Sequence, residues 1–113
     1  MNTYDVATLK LTPEQEKVIE LLPGSSAGIK FLCITSDVYS SEGNTDPNTA
    51  ELVYTIGVGT AEEKQIILDR AHVLIGKSLL DEIGNFSKLK IKNGTSLDGG
   101  RDANIRILVG RDV

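Results

Sequence analysis

The chain has 113 residues, 40% of them hydrophobic and 25% charged, with a formal net charge of −4 and one cysteine. That length and balance suit a single globular domain, residues 1–113, and exclude wholesale disorder; no apolar run reaches the roughly 18–20 residues of a membrane-spanning helix. The lone thiol excludes an intramolecular disulfide. The acidic balance excludes the clear excess of Lys and Arg that duplex nucleic acid selects.

The opening Met1-Asn2-Thr3-Tyr4-Asp5 has neither the basic region nor the apolar stretch of a signal peptide, so a cytoplasmic protein without a membrane partner is expected. Tyr4 to Leu11 alternates in part, with Val6, Leu9 and Leu11 apolar, and predicts an opening strand. Thr12-Pro13-Glu14-Gln15 then has the pattern of a helix start: Thr12 and Gln15 cap each other reciprocally, and Pro13 sits where no donor is needed. Glu14 and Glu16 suit the positive end of a helix dipole, and Val18, Ile19, Leu21 and Leu22 supply an apolar face. With Pro23-Gly24 as the stop, the spacing predicts a helix over 13–22.

Gly28 to Val38 follows as a mostly buried strand in which Phe31 and Cys33 share one face, expected to be the core face. Tyr39 to Ala50 is polar and rich in turn formers, and Glu51 to Gly57 is a second core strand. The two strands are expected to form a hairpin with a long, mobile connection.

Residues 60–83 support two readings. Thr60-Ala61-Glu62-Glu63 is a second capping box that favours a helix to about Ile75. The triplets Ile66-Ile67-Leu68 and Val73-Leu74-Ile75, either side of Asp69-Arg70-Ala71-His72, favour two short strands in a hairpin instead. Ser78 to Ile83 predicts a helical turn stopped by Gly84-Asn85. Lys88-Leu89-Lys90-Ile91-Lys92 is a clean strand, lysines on one face, and Ala103 to Val109 closes the chain as another. The expected fold is α+β: one mixed or antiparallel sheet of about five to seven strands with the 13–22 helix packed on it. A helix over 61–75 would make it ferredoxin-like with an added C-terminal strand.

Few residues point to chemistry. Gly76-Lys77-Ser78 looks like the end of a phosphate-binding loop, but Ala71 stands where that motif needs glycine, and His72-Val73-Leu74-Ile75 belong in a core. Ile56-Gly57-Val58-Gly59-Thr60 has the context of a dinucleotide loop, yet Glu62 falls on the third glycine, and a Gly-rich turn is the better reading. Cys33 and His72 would make a nucleophilic pair only if the fold joined them with an orienting group. Cys33 reads more simply as a small buried hydrophobe, and His72 as a turn or edge residue. A histidine–carboxylate metal site near Asp69 lacks further ligands. No catalytic, cofactor-binding or metal-binding residue is therefore assigned.

The best basic feature is the lysine face of Lys88, Lys90 and Lys92, joined by Arg106, which suits phosphate or an acidic partner. The simpler expectation is that these lysines keep an edge strand soluble. Asn85-Phe86-Ser87 and Asn93-Gly94-Thr95 match the glycosylation pattern, which has no bearing without secretion.

In outline the order of segments resembles the A-type iron–sulfur carriers, the HesB/IscA-like domain. The likeness runs from Lys10-Leu11-Thr12-Pro13-Glu14-Gln15 through Gly28-Ile29-Lys30-Phe31 and the 66–79 stretch to Phe86–Lys92, over roughly residues 7–109. It implies a HesB-like fold. The family holds its cluster through three cysteines; here Asp37 to Ser41 stands at the first place and Asp98-Gly99-Gly100-Arg101 near the second, while Cys33 comes too early. Clusters need thiolates. The resemblance thus implies a non-catalytic binding or scaffold protein without a cofactor, which has lost the cluster chemistry and acts on a protein partner or as a homo-oligomer. The alternative is a small ligand-binding domain or enzyme built on the 39–50 loop and its Asp46.

Overall fold

Large apolar side chains enter one core cluster at every second position in several segments: Leu32 and Ile34; Leu52, Tyr54 and Ile56; Leu89 and Ile91; Ile105, Ile107 and Val109. That period of two puts one face of a strand into a core. The computed structural model describes residues 2–21, 29–40, 43, 45–61, 63–76, 88–95 and 100–111. Among them the chain forms eight strands and no helix: β1 (Asn2–Leu11), β2 (Glu16–Glu20), β3 (Ile29–Ser36), β4 (Leu52–Ile56), β5 (Lys64–Ile67), β6 (His72–Ile75), β7 (Lys88–Asn93) and β8 (Ala103–Arg111).

The strands make two antiparallel sheets, β1-β8-β3-β6 and β2-β7-β4-β5. Pairing follows one rule: β1 with β8, β2 with β7, β3 with β6, and β4 with β5. β3 then joins β8, and β4 joins β7, to complete each sheet. This is the strand order of a jelly roll, a long hairpin with β4 and β5 at its closed end, rolled so that each arm crosses between two stacked sheets. One core lies between the sheets, with Leu11, Leu32, Ile34, Ile105, Ile107 and Val109 from the first facing Ile19, Leu52, Tyr54, Ile56, Leu89 and Ile91 from the second. No helix is long and apolar enough to cross a membrane among the described residues.

The α+β expectation is overturned, and with it both the HesB-like arrangement of one sheet plus helix and the ferredoxin-like alternative. The decisive segment is 12–20. Thr12 and Gln15 make one half of a capping box, the Thr12 N–H donating to Gln15 Oε1 at 2.9 Å, but the Gln15 N–H donates to the Thr12 carbonyl at 3.0 Å, the bond of a β-turn, instead of to its hydroxyl. Glu14, however, takes φ +68°. With Pro13 before it, that left-handed residue makes a tight turn of type II character, and the chain reverses into β2. β2 then pairs with β7 from Glu16 opposite Lys92 to Glu20 opposite Lys88.

The 29–36 and 52–56 strands exist, but they lie in different sheets, so they form no hairpin. Their connection is tied down: the Ser40 N–H donates to Leu68 O at 2.8 Å, and Ser40 Oγ accepts the Glu51 N–H at 2.8 Å. Residues 64–75 are two short strands, as one reading had it, yet β5 pairs with β4 and β6 with β3. The predicted turn at Ser78–Ile83 lies outside the described residues. β7 is no edge strand; it sits between β2 and β4. Finally, Phe31 and Cys33 do share a face, but it is the outer one, because Leu32 and Ile34 take the core.

Candidate functional site

Lys88, Lys90 and Lys92 all project from the outer face of the β2-β7-β4-β5 sheet, since Leu89 and Ile91 between them are fully buried. Val53 and Thr55 share that face and are nevertheless only 3% and 4% exposed. Their cross-strand neighbours explain this: Val53 lies opposite Lys92 and Ile67, and Thr55 opposite Lys90 and Gln65. Long side chains fold their stems over the two small residues. Glu16, Val53, Thr55, Gln65, Lys90 and Lys92 line a hollow of about 160 Å³. No buried side-chain oxygen or nitrogen lacks a partner among the described residues, so the Thr55 hydroxyl, which bonds no described residue, meets solvent in the hollow.

The β2 strand and the turn before it bring acids to this face. Lys90 Nζ lies 3.3 Å from Glu16, and Lys92 Nζ lies 3.7 Å from Glu14. Glu20 lies opposite Lys88. Both bonded pairs are solvent-exposed, and such pairs contribute only about 0–1 kcal/mol each. Arg106 does not join the lysines. It projects from β8 on the other sheet, on the opposite side of the sandwich.

Arg106 belongs instead to a row that crosses the outer face of the first sheet: Thr8 opposite Arg106, Arg106 opposite Thr35, and Thr35 opposite His72. His72 Nδ1 lies 3.1 Å from Thr35 Oγ1, and its Nε2 lies 3.6 Å from Cys33 Sγ. The fold thus joins the single cysteine and the single histidine, which sequence spacing left 39 positions apart. Cys33 is 5% exposed, and the neighbour directly across from it, Leu74, is 60% exposed. A thiol covered this far has restricted access to a substrate. Beside the row, Thr8, Thr35, Ser36, Asp37, Asn104, Ile105 and Arg106 line a shallow depression of about 330 Å³. Asp37 there accepts the Asn104 N–H at 2.8 Å and the Asn104 side-chain amide at 2.7 Å. Those two bonds, the side-chain one foremost, lower its pKa below the usual carboxylate value. Among the described residues, no three of His, Cys, Asp and Glu come together to hold a metal ion.

The remaining motifs resolve into turns. Gly57 and Gly59 take positive φ in the connection between β4 and β5, and the Gly59 N–H donates to Glu63 at 3.1 Å. Asp46 closes a local turn by accepting the Asn48 N–H at 2.9 Å, so in the 39–50 loop this carboxylate shapes backbone. Asn93, in one of the two glycosylation patterns, is fully buried. Its amide donates to Leu11 O at 3.0 Å and Arg101 O at 2.6 Å, while its Oδ1 accepts the Thr95 hydroxyl at 2.7 Å. Of Gly76-Lys77-Ser78 only the glycine is described, just beyond β6.

Sequence reasoning found the lysine face and missed Thr55, Gln65 and Glu16. The alternation of Leu52, Tyr54 and Ile56 was a signal that Thr55 points outward; nothing local said which strand would flank it. The chain matches no protein-family model and no curated protein.

Proposed function

We propose that this chain is a non-catalytic binding module that uses the lysine face of the β2-β7-β4-β5 sheet to hold an acidic protein segment. The observation that carries the reading is the place of β7 in the middle of its sheet. A central strand needs no lysines to block edge-to-edge pairing. Three like charges at alternate positions of one strand repel each other about 7 Å apart. That spacing matches the alternate side chains of an extended acidic segment. The pairs with Glu14 and Glu16 neutralise the face in the free protein, and being weak and exposed they exchange readily for a partner's carboxylates. The likeness to the A-type carriers leans in part on a helix over 13–22, where this chain has a turn and a strand.

A polyglutamate peptide is the probe, titrated against the protein at two salt concentrations. Binding should weaken as salt rises. It should be lost when Lys88, Lys90 and Lys92 are all changed to Gln, and it should survive Arg106→Gln on the opposite sheet. Equal losses in the triple variant and in Arg106→Gln would show non-specific attraction and refute the reading.

A further inference from the structure

Resting on that reading of the lysine face, we propose that the hollow over Val53 and Thr55 is a built site for a single oxyanion, a carboxylate or a phosphate group. Three observations converge on it. Lys90 and Lys92 stand on one side, Gln65 stands on the other, and all three are lining residues. Thr55 at the floor is 4% exposed, and its hydroxyl, which bonds no described residue, meets solvent in the hollow. That hydroxyl is available to donate to an oxygen atom seated in the hollow, in exchange for water. The volume of about 160 Å³ admits a tetrahedral or planar oxyanion. Two ammonium groups, one hydroxyl and one carboxamide supply the donors such a group requires.

Glu16 lines the same hollow and holds Lys90 at 3.3 Å, so it acts as the internal competitor of the oxyanion. Binding exchanges one carboxylate for another at Lys90 Nζ. Removing the negative charge of Glu16 should therefore strengthen binding, a result that a purely structural role for the Glu16–Lys90 pair does not give.

Inorganic phosphate and acetate are titrated separately into ¹⁵N-labelled protein, with sodium chloride at matched ionic strength as the control. Saturable shifts of the amides of Thr55, Gln65 and Lys90 are expected with at least one of the two. Saturation by phosphate alone or by acetate alone identifies the source, and saturation by both identifies a general oxyanion site. Thr55→Val should weaken binding about tenfold, the value of one hydrogen bond to a charged group. Lys92→Gln should weaken it further, Glu16→Gln should tighten it several-fold, and Arg106→Gln, on the opposite sheet, should leave it within about twofold. Shifts that rise linearly and equally with phosphate, acetate and chloride overturn the site, as does a Thr55→Val or Glu16→Gln variant that binds as the parent does. Loss of the site with polyglutamate binding intact leaves the wider lysine face standing. Loss of polyglutamate binding with saturable phosphate or acetate intact does the reverse.

Discussion

The side-chain amide of Asn93 donates to the carbonyl of Leu11 at 3.0 Å, joining the last residue of β7 to the last residue of β1 across 82 positions of sequence. The bond ties one sheet to the other at one end of the sandwich, and the same amide reaches Arg101 O. Asn93→Ala removes both bonds and the Oδ1 that accepts from Thr95, while the Thr95 hydroxyl still reaches Arg101 O; each buried group left unpaired costs about 1–3 kcal/mol. A loss of roughly 3 kcal/mol is expected in urea unfolding, with Asn93→Asp at least as damaging because a carboxylate donates nothing.

Two glycines should respond differently to alanine. A methyl at Gly94 runs into the carbonyl oxygen of Ala50, which is backbone; a methyl at Gly110 meets the ring of Phe31, which is half-buried on the outer face. Backbone cannot step aside, whereas a surface ring can turn. Gly94→Ala should cost about 3 kcal/mol or more and Gly110→Ala distinctly less, compared by thermal unfolding of both variants.

Glu14 holds φ +68° in the turn between β1 and β2. A β-branched residue is strained there, so Glu14→Val should lower stability by about 1–2 kcal/mol. Glu14→Gly should equal or exceed the parent despite losing the exposed contact with Lys92. If a helix began at Pro13, Glu14→Gly would instead destabilise by about 1 kcal/mol, so the melting temperatures of the two variants separate turn from helix.

The pH limits of stability follow from two groups. Asp37 has its pKa lowered by the Asn104 side-chain amide and then by the Asn104 N–H. A depressed carboxylate stabilises the fold above its unfolded pKa, about 3.9, and that contribution fades as pH falls through the lower folded value. Because the site is exposed the loss should stay near 1 kcal/mol or below, and Asp37→Asn should remove this part of the acid dependence. Burial, and then the charge of Asp69, push Tyr54 from 10.0 up to about 12. Its contribution is full below pH 10.0 and is lost as pH rises toward about 12. Tyr54→Phe should flatten the alkaline limb in unfolding measured from pH 9 to pH 12.

Cys33 should label slowly with a thiol reagent in the native protein and quickly once unfolded. Its cover is Leu74 and His72, not the core, so Leu74→Ala should speed native labelling with little loss of stability. Labelling of that variant only at the rate of global unfolding would place Cys33 inside the sandwich after all.

The sequence alone located five of the strands, because Ile105, Ile107 and Val109 or Leu89 and Ile91 repeat with a period that only a half-buried strand explains. It also showed that Lys88, Lys90 and Lys92 share a face, and that Gly57 and Gly59 make a turn. The segment after Thr12 was not legible, since a capping box and this tight turn share the bond from the Thr12 N–H to Gln15 Oε1, and the φ of Glu14 and the Thr12 carbonyl that accepts the Gln15 N–H separate them. Pairing was hidden altogether. Apart from β4 with β5, every strand finds a partner far along the chain, and the alternation that makes a strand says nothing about which strand lies beside it. That choice placed β7 at the centre of its sheet, brought Cys33 to His72, parted Arg106 from the lysines, and set Thr55 beneath Lys90. The energy that decides it comes from burying both sheets in one core, a property of the folded whole.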